Sequence, residues 1–152
     1  MKKLMIGILG LMVVLLSCTN QTNENANNMD NPFFKEWTTS FGVPPFDEIE
    51  EEHYMPAVKE AIKLREEQIE EIVDNSEDPN FENTILALDK SGELLDKVTG
   101  TFYPLNSANT NENMQAIARE MSPLLTKHSD NVMMNPQLFE RVKAVYEKRN
   151  DI

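Results

Sequence analysis

Two histidines, one cysteine and several close-set carboxylates are the side chains here with the means to do chemistry, and their spacing decides which chemistry. His53 and His128 stand 75 positions apart. A metal site on a helix asks for two histidines at i and i+4, on one face, with a further ligand in reach. Neither histidine begins such a pattern. His128 falls in an apolar stripe beside Leu124, Leu125 and Val132, the setting of a partly buried histidine bonded to a neighbour. His53 reads as an arm or surface residue next to Glu48, Glu50, Glu51 and Glu52. Those glutamates form carboxylate pairs of the kind acid–base catalysis uses, but a charged face at a helix start explains them equally. Asp74, Glu77 and Asp78 offer oxygen atoms to calcium without the alternating ligands and glycine turn of a calcium loop. There is no Gly-x-Ser-x-Gly and no glycine-rich phosphate loop. The 152 residues therefore carry no predicted catalytic or metal-binding residue of their own.

The elements that hold these side chains are predicted to be helices. A first helix starts near Asp47 or Glu48 and runs to about Asn75, its apolar stripe Met55, Val58, Ile62, Ile69, Ile72 and Val73 stepping by three, four or seven. Pro56 lies inside that pattern and splits off a leading turn, which moves the start of the long helix towards Pro56. A second helix, capped by Asn83 or Thr84, carries Ile85, Leu88, Leu95, Val98 and Phe102, with Ser91-Gly92 on the same face as a point of close helix approach. Pro104 is expected to bend or end it. A third, beginning after Asn109-Thr110, presents Met114, Ile117, Met121, Leu124, Leu125, His128 and Val132, with a kink at Pro123; its methionines suit core packing. The fourth has Asn135 as cap and Pro136 at its first position, and a stripe of Leu138, Phe139, Val142, Val145 and Tyr146. No run alternates with period two long enough for a strand. The expectation is an all-α fold of about four antiparallel helices over residues 47–152. Residues 32–46, with Phe33, Phe34, Trp37, Phe41 and Phe46 among turn residues, read as an irregular arm wrapped onto the helices.

The chain opens differently. Lys2 and Lys3 precede the apolar run Leu4 to Leu16, too short to span a bilayer comfortably, which marks residues 1–17 as a secretory signal. The run closes on Leu15-Leu16-Ser17-Cys18, which resembles a bacterial lipoprotein box. Cleavage before Cys18 and acylation of that cysteine, the only one in the chain, would place the protein at the cell envelope on a lipid anchor. Residues 18–31, rich in Asn and Thr, read as a flexible tether. Beyond residue 17 the chain has 26 acidic residues against 12 Lys and Arg, a net charge of −14. That argues against nucleic acid and against anionic lipid surfaces as partners. An acidic solvated surface accounts for it without naming a substrate.

One stretch is distinctive enough to suggest kinship: Asn80 to Val98, preceded by Pro45-Phe46-Asp47 and the Ile49 to Ala57 run. It is followed by Gln115-Ala116-Ile117, Pro123-Leu124 and Asn135-Pro136-Gln137-Leu138-Phe139. Together they resemble the amino-terminal part of the peptidyl-dipeptidase branch of the oligopeptidase A and thimet oligopeptidase family of zinc metallopeptidases. The resemblance implies hydrolysis of short peptides, with dipeptides released from the carboxyl end, in a channel between two helical lobes with zinc at its floor. The family's His-Glu-x-x-His motif is absent here, so these residues are expected to form channel wall and to bind no zinc. Zinc belongs to the full-length enzyme, and the remaining catalytic part is a further expected partner. The alternative expectation is a stand-alone, lipid-anchored helical module that binds peptides or a protein without hydrolysis. As a piece of a larger body, the chain is expected to leave apolar surface uncovered on its second and third helices.

Overall fold

The computed structural model describes residues 30–150; the signal segment, Cys18 and most of the tether lie outside them. The described chain is all-α. After short 3-10 turns at Pro32–Phe34, Ser40–Gly42 and Glu51–His53, helix α1 runs Tyr54–Val73. A π-helical turn, Phe81–Leu86, leads into the short α2, Ala87–Lys90, followed by α3 (Glu93–Ala108), α4 (Glu112–Met133) and α5 (Pro136–Glu147). Among the described residues there is no strand, and no helix is long and apolar enough to cross a membrane.

Helix α1 is the central element. It packs against α3, α4 and α5, whereas the backbones of α3 and α4 scarcely approach each other. Its small residues Ala57 and Ala61 and its Val58 are fully buried, which lets two neighbours come close on adjoining faces. The main core joins Tyr54 and Val58 of α1 to Val98 and Phe102 of α3 and to Met114 and Met121 of α4. Tyr54 sits edge-on to Phe102, with ring centroids 5.0 Å apart, and stacks obliquely on Phe33 of the arm at 5.4 Å. A smaller core of Ile69, Ile72 and Leu138 fastens α5 to the far end of α1.

The helix boundaries show which local signals govern. Asn135 accepts hydrogen bonds from Gln137 and Leu138, with Pro136 at the first position as predicted. Helix α4 starts after Asn109-Thr110 as predicted, with Asn111 capping it by accepting from Met114. The predicted cap at Asn83 or Thr84 moves to Asn80, which trades hydrogen bonds reciprocally with Asn83. Pro56 falls in the first turn of α1, where its missing N–H has no intrahelical acceptor to lose. The predicted second helix is not continuous: Ser91 Oγ donates to the Leu88 carbonyl and ends α2, and Gly92, at φ +89°, turns the chain before α3. Pro104, expected to bend or end the helix, is carried inside α3, which continues to Ala108.

The aromatic arm is only half used. Phe33 is buried, Phe34 and Trp37 pack on the main core, and Lys97 of α3 donates to the Phe33 and Lys35 carbonyls while lying 4.2 Å over the Trp37 ring. Phe41 and Phe46 stand exposed. The stripe on α5 is also corrected: Leu138, Arg141 and Val145 face inward, while Phe139 and Tyr146 lie open to solvent.

Candidate functional site

Where the backbones of α3 and α4 stay apart over α1, a groove of about 480 Å³ opens between them with Arg65 of α1 among its lining residues. Leu95, Tyr103 and Pro104 form one wall, and Leu125, Val132 and Met133 the other. It lies between the second and third long helices, where the sequence predicts uncovered apolar surface. The size is that of a small-ligand site rather than of a packing defect. A larger concavity of about 810 Å³ lies over Pro123, but its lining comes from the outer face of α4 alone. It has no second element to hold a ligand in place.

The polar groups of the groove are few and underused. Arg65 lies across Gly92, and its Nε is buried without a hydrogen-bond partner. The His128 side chain is 3% exposed, and neither ring nitrogen has a hydrogen-bond partner; its Nδ1 stands 3.6 Å from a Glu66 carboxylate oxygen, too long for a hydrogen bond but within ion-pairing distance. Buried polar atoms are nearly always paired, so these mark a place where the molecule leaves donors and an acceptor free. Pro104 adds another. It has no N–H to give to the Gly100 carbonyl one turn back, and Gly100 itself leaves open space, with no atom within 4 Å of where a Cβ would stand. Asp96, exposed, stands at the rim.

The other candidate residues are occupied structurally. His53 Nδ1 accepts from the Glu50 N–H at 2.9 Å, and the His53 carbonyl accepts from the Asn31 side chain. Glu51 accepts from Asn111 at 2.6 Å and from Asn113, first and second in holding its carboxyl below the usual glutamate range. The loop around Asp74, Glu77 and Asp78 turns its carbonyls to a cation of the protein itself: Arg141 donates to the Asn75 oxygen at 2.7 Å. Among the described residues no three His, Cys, Asp or Glu side chains converge on a point where a metal could bind. His53 and His128 thus serve separate sites, and the residues described here do not fit a zinc ion. Cys18 lies outside them.

Arg65, Gly100 and Arg141 escape a motif-based reading. For Arg65 a signal existed: it follows Ala61 by four and precedes Ile69 and Ile72 on the buried side of α1, so a cation interrupts an apolar stripe.

Known proteins share part of this sequence. The chain is 38% identical over 122 residues to the dipeptidyl carboxypeptidase of Escherichia coli, a match covering 80% of this chain and 18% of that protein. To the dipeptidyl carboxypeptidase of Salmonella typhimurium it is 36% identical over the same shares. It is 29% identical over 101 residues to oligopeptidase A of Salmonella typhimurium, covering 66% of this chain and 14% of that protein. No family model matches. The curated relatives are peptidases, and the chain spans less than a fifth of their length.

Proposed function

We propose that this chain is the amino-terminal helical portion of a zinc metallopeptidase of the peptidyl-dipeptidase type, an enzyme that releases dipeptides from the carboxyl end of short peptides. The observation that carries the reading is the match of 80% of the chain to two dipeptidyl carboxypeptidases. In this reading α1, α3 and α4 form part of the wall of the substrate channel. The zinc and the residues that use it belong to the rest of the enzyme, and no hydrolytic role falls to a residue described here. Residues 1–17 direct export and Cys18 carries the lipid, which sets the peptidase at the cell envelope; Cys18→Ala should abolish labelling with radioactive palmitate. Sequencing the locus past the Ile152 codon tests the main claim. An in-frame continuation that encodes His-Glu-x-x-His supports it, and an intact stop codon with no such sequence beyond would sink it.

The groove favours one second reading. His128, without a hydrogen bond at either ring nitrogen and lining the same groove as Arg65, suits a lipid-anchored module that binds peptides without cleaving them, and the stop-codon outcome would select it.

A further inference from the structure

His128 is buried where α4 rests on α1, and the proposed function gives it no role. Its side chain is 3% exposed and bears no hydrogen bond at either ring nitrogen, yet its Nδ1 lies 3.6 Å from the Glu66 carboxylate of α1. A charge-assisted bond between nitrogen and carboxylate closes to about 2.7–2.9 Å, so the pair stands just outside that geometry. Glu66 is half-exposed, and its long side chain can swing inward while both helix backbones stay in place. Burial opposes a charge on the ring unless an opposite charge is in reach, and Glu66 is that charge. A neutral ring gains only an ordinary bond by closing the gap, whereas a protonated one gains the attraction of an ion pair largely shut off from water.

The other groups around the ring do not undo this. Arg65 of α1 carries like charge but is drawn across Gly92. Asp96 of α3 carries opposite charge at the exposed rim, and Tyr103 of the same helix brings an uncharged hydroxyl. On α4 itself the residues one turn away, Leu124, Leu125, Asn131 and Val132, are uncharged, and Lys127 and Asp130 are exposed.

We propose that His128 and Glu66 form a pH-operated latch between α4 and α1. As pH falls from about 8 to about 5, the interval in which imidazole ordinarily takes its proton, His128 gains charge, Glu66 closes on it, and the second half of α4 is fastened to α1. Loss of the proton releases that half, which carries Leu125, Val132 and Met133 of the groove wall. The latch needs only the α1–α4 contact and holds whether or not the chain is part of a peptidase.

The test is amide hydrogen exchange on the full 152-residue chain in detergent at about pH 7.5 and about pH 5.5, read as protection factors so that the intrinsic pH dependence of exchange cancels. Protection of residues 124–133 should rise about fivefold at the lower pH, the gain of a half-exposed charge-assisted pair. Glu66→Gln and His128→Gln should each hold that protection constant between the two conditions. Protonation of His53 acts elsewhere, on the turn where its Nδ1 accepts the Glu50 N–H, and is read separately. Imidazole nitrogen chemical shifts, with His53→Gln assigning the two rings, should show His128 charged at the lower pH. A His128 ring that stays neutral there, equal protection in both conditions, or a rise that survives Glu66→Gln would overturn the proposal. If His128→Gln does not fold, Glu66→Gln decides alone.

Discussion

The Arg65 side chain lies flat across Gly92, so close that a Cβ built on the glycine would stand 2.6 Å from Arg65 Cδ. At φ +89° the glycine also holds a left-handed conformation, and its N–H donates to Gln68 of the same helix at 3.0 Å. One residue therefore breaks α2 from α3 and leaves room for the cation beside the groove. Gly92→Ala should destabilise the chain by about 1–2 kcal/mol through the left-handed backbone. Adding Arg65→Ala should recover only the steric share. Urea denaturation checks this, and an unchanged midpoint in Gly92→Ala would refute it.

Tyr54 is buried at the centre of the main core, and its hydroxyl has no partner. Burial, followed by the nearby Glu51 charge, pushes its pKa up. A buried unbonded hydroxyl costs about 1–3 kcal/mol. Tyr54→Phe should therefore raise stability by about 1 kcal/mol while keeping the ring contacts with Phe33 and Phe102. A loss of stability in urea would show that the hydroxyl is satisfied in solution.

Glu51 ties the turn before α1 to the start of α4. Hydrogen bonds from Asn111 and then Asn113 hold its carboxyl below the ordinary value of 4.5. A depressed folded-state pKa gives stability that is fully present above 4.5 and is lost as pH falls through the folded value. The native chain should therefore exceed Glu51→Gln in melting temperature near neutrality, and the gap should close on acidification below pH 4.5. A gap independent of pH would contradict the assignment.

Arg141, only 9% exposed, reaches from α5 to the Asn75 carbonyl at 2.7 Å and to Asn83 Oδ1 at 3.2 Å, so it holds the loop before the π-turn. Arg141→Lys keeps the charge but not the fork. It should cost about 1–3 kcal/mol and speed amide exchange between residues 75 and 83. Exchange at the native rate would mean that the loop stands without it.

Much of this architecture is legible from periodicity. Val58, Ile69 and Ile72 place the buried face of α1, and Asn135-Pro136 places the start of α5, because both signals are local. The failures are non-local. Ser91-Gly92 is a point of close approach, as expected, but the approaching group is a side chain of α1 and the helix breaks there. Phe139 and Tyr146 outrank Arg141 in hydrophobicity, yet Arg141 is the residue turned inward. Its acceptors lie 58 and 66 positions away and leave no mark on the sequence around it. The groove's lining is hidden for the same reason: open apolar surface on the second and third helices is expected, but stripe patterns do not rank which helices touch or bring Arg65 of α1 between them.

Peptide hydrolysis by the complete product of the open reading frame, compared with the 152-residue chain, tests the central claim most directly. The substrate is a blocked tetrapeptide, and the readout is the dipeptide released from its carboxyl end. The complete product should release it and lose that activity on zinc chelation, while the 152-residue chain releases none. Hydrolysis by the 152-residue chain alone, or none by the complete product with zinc supplied, would contradict the account.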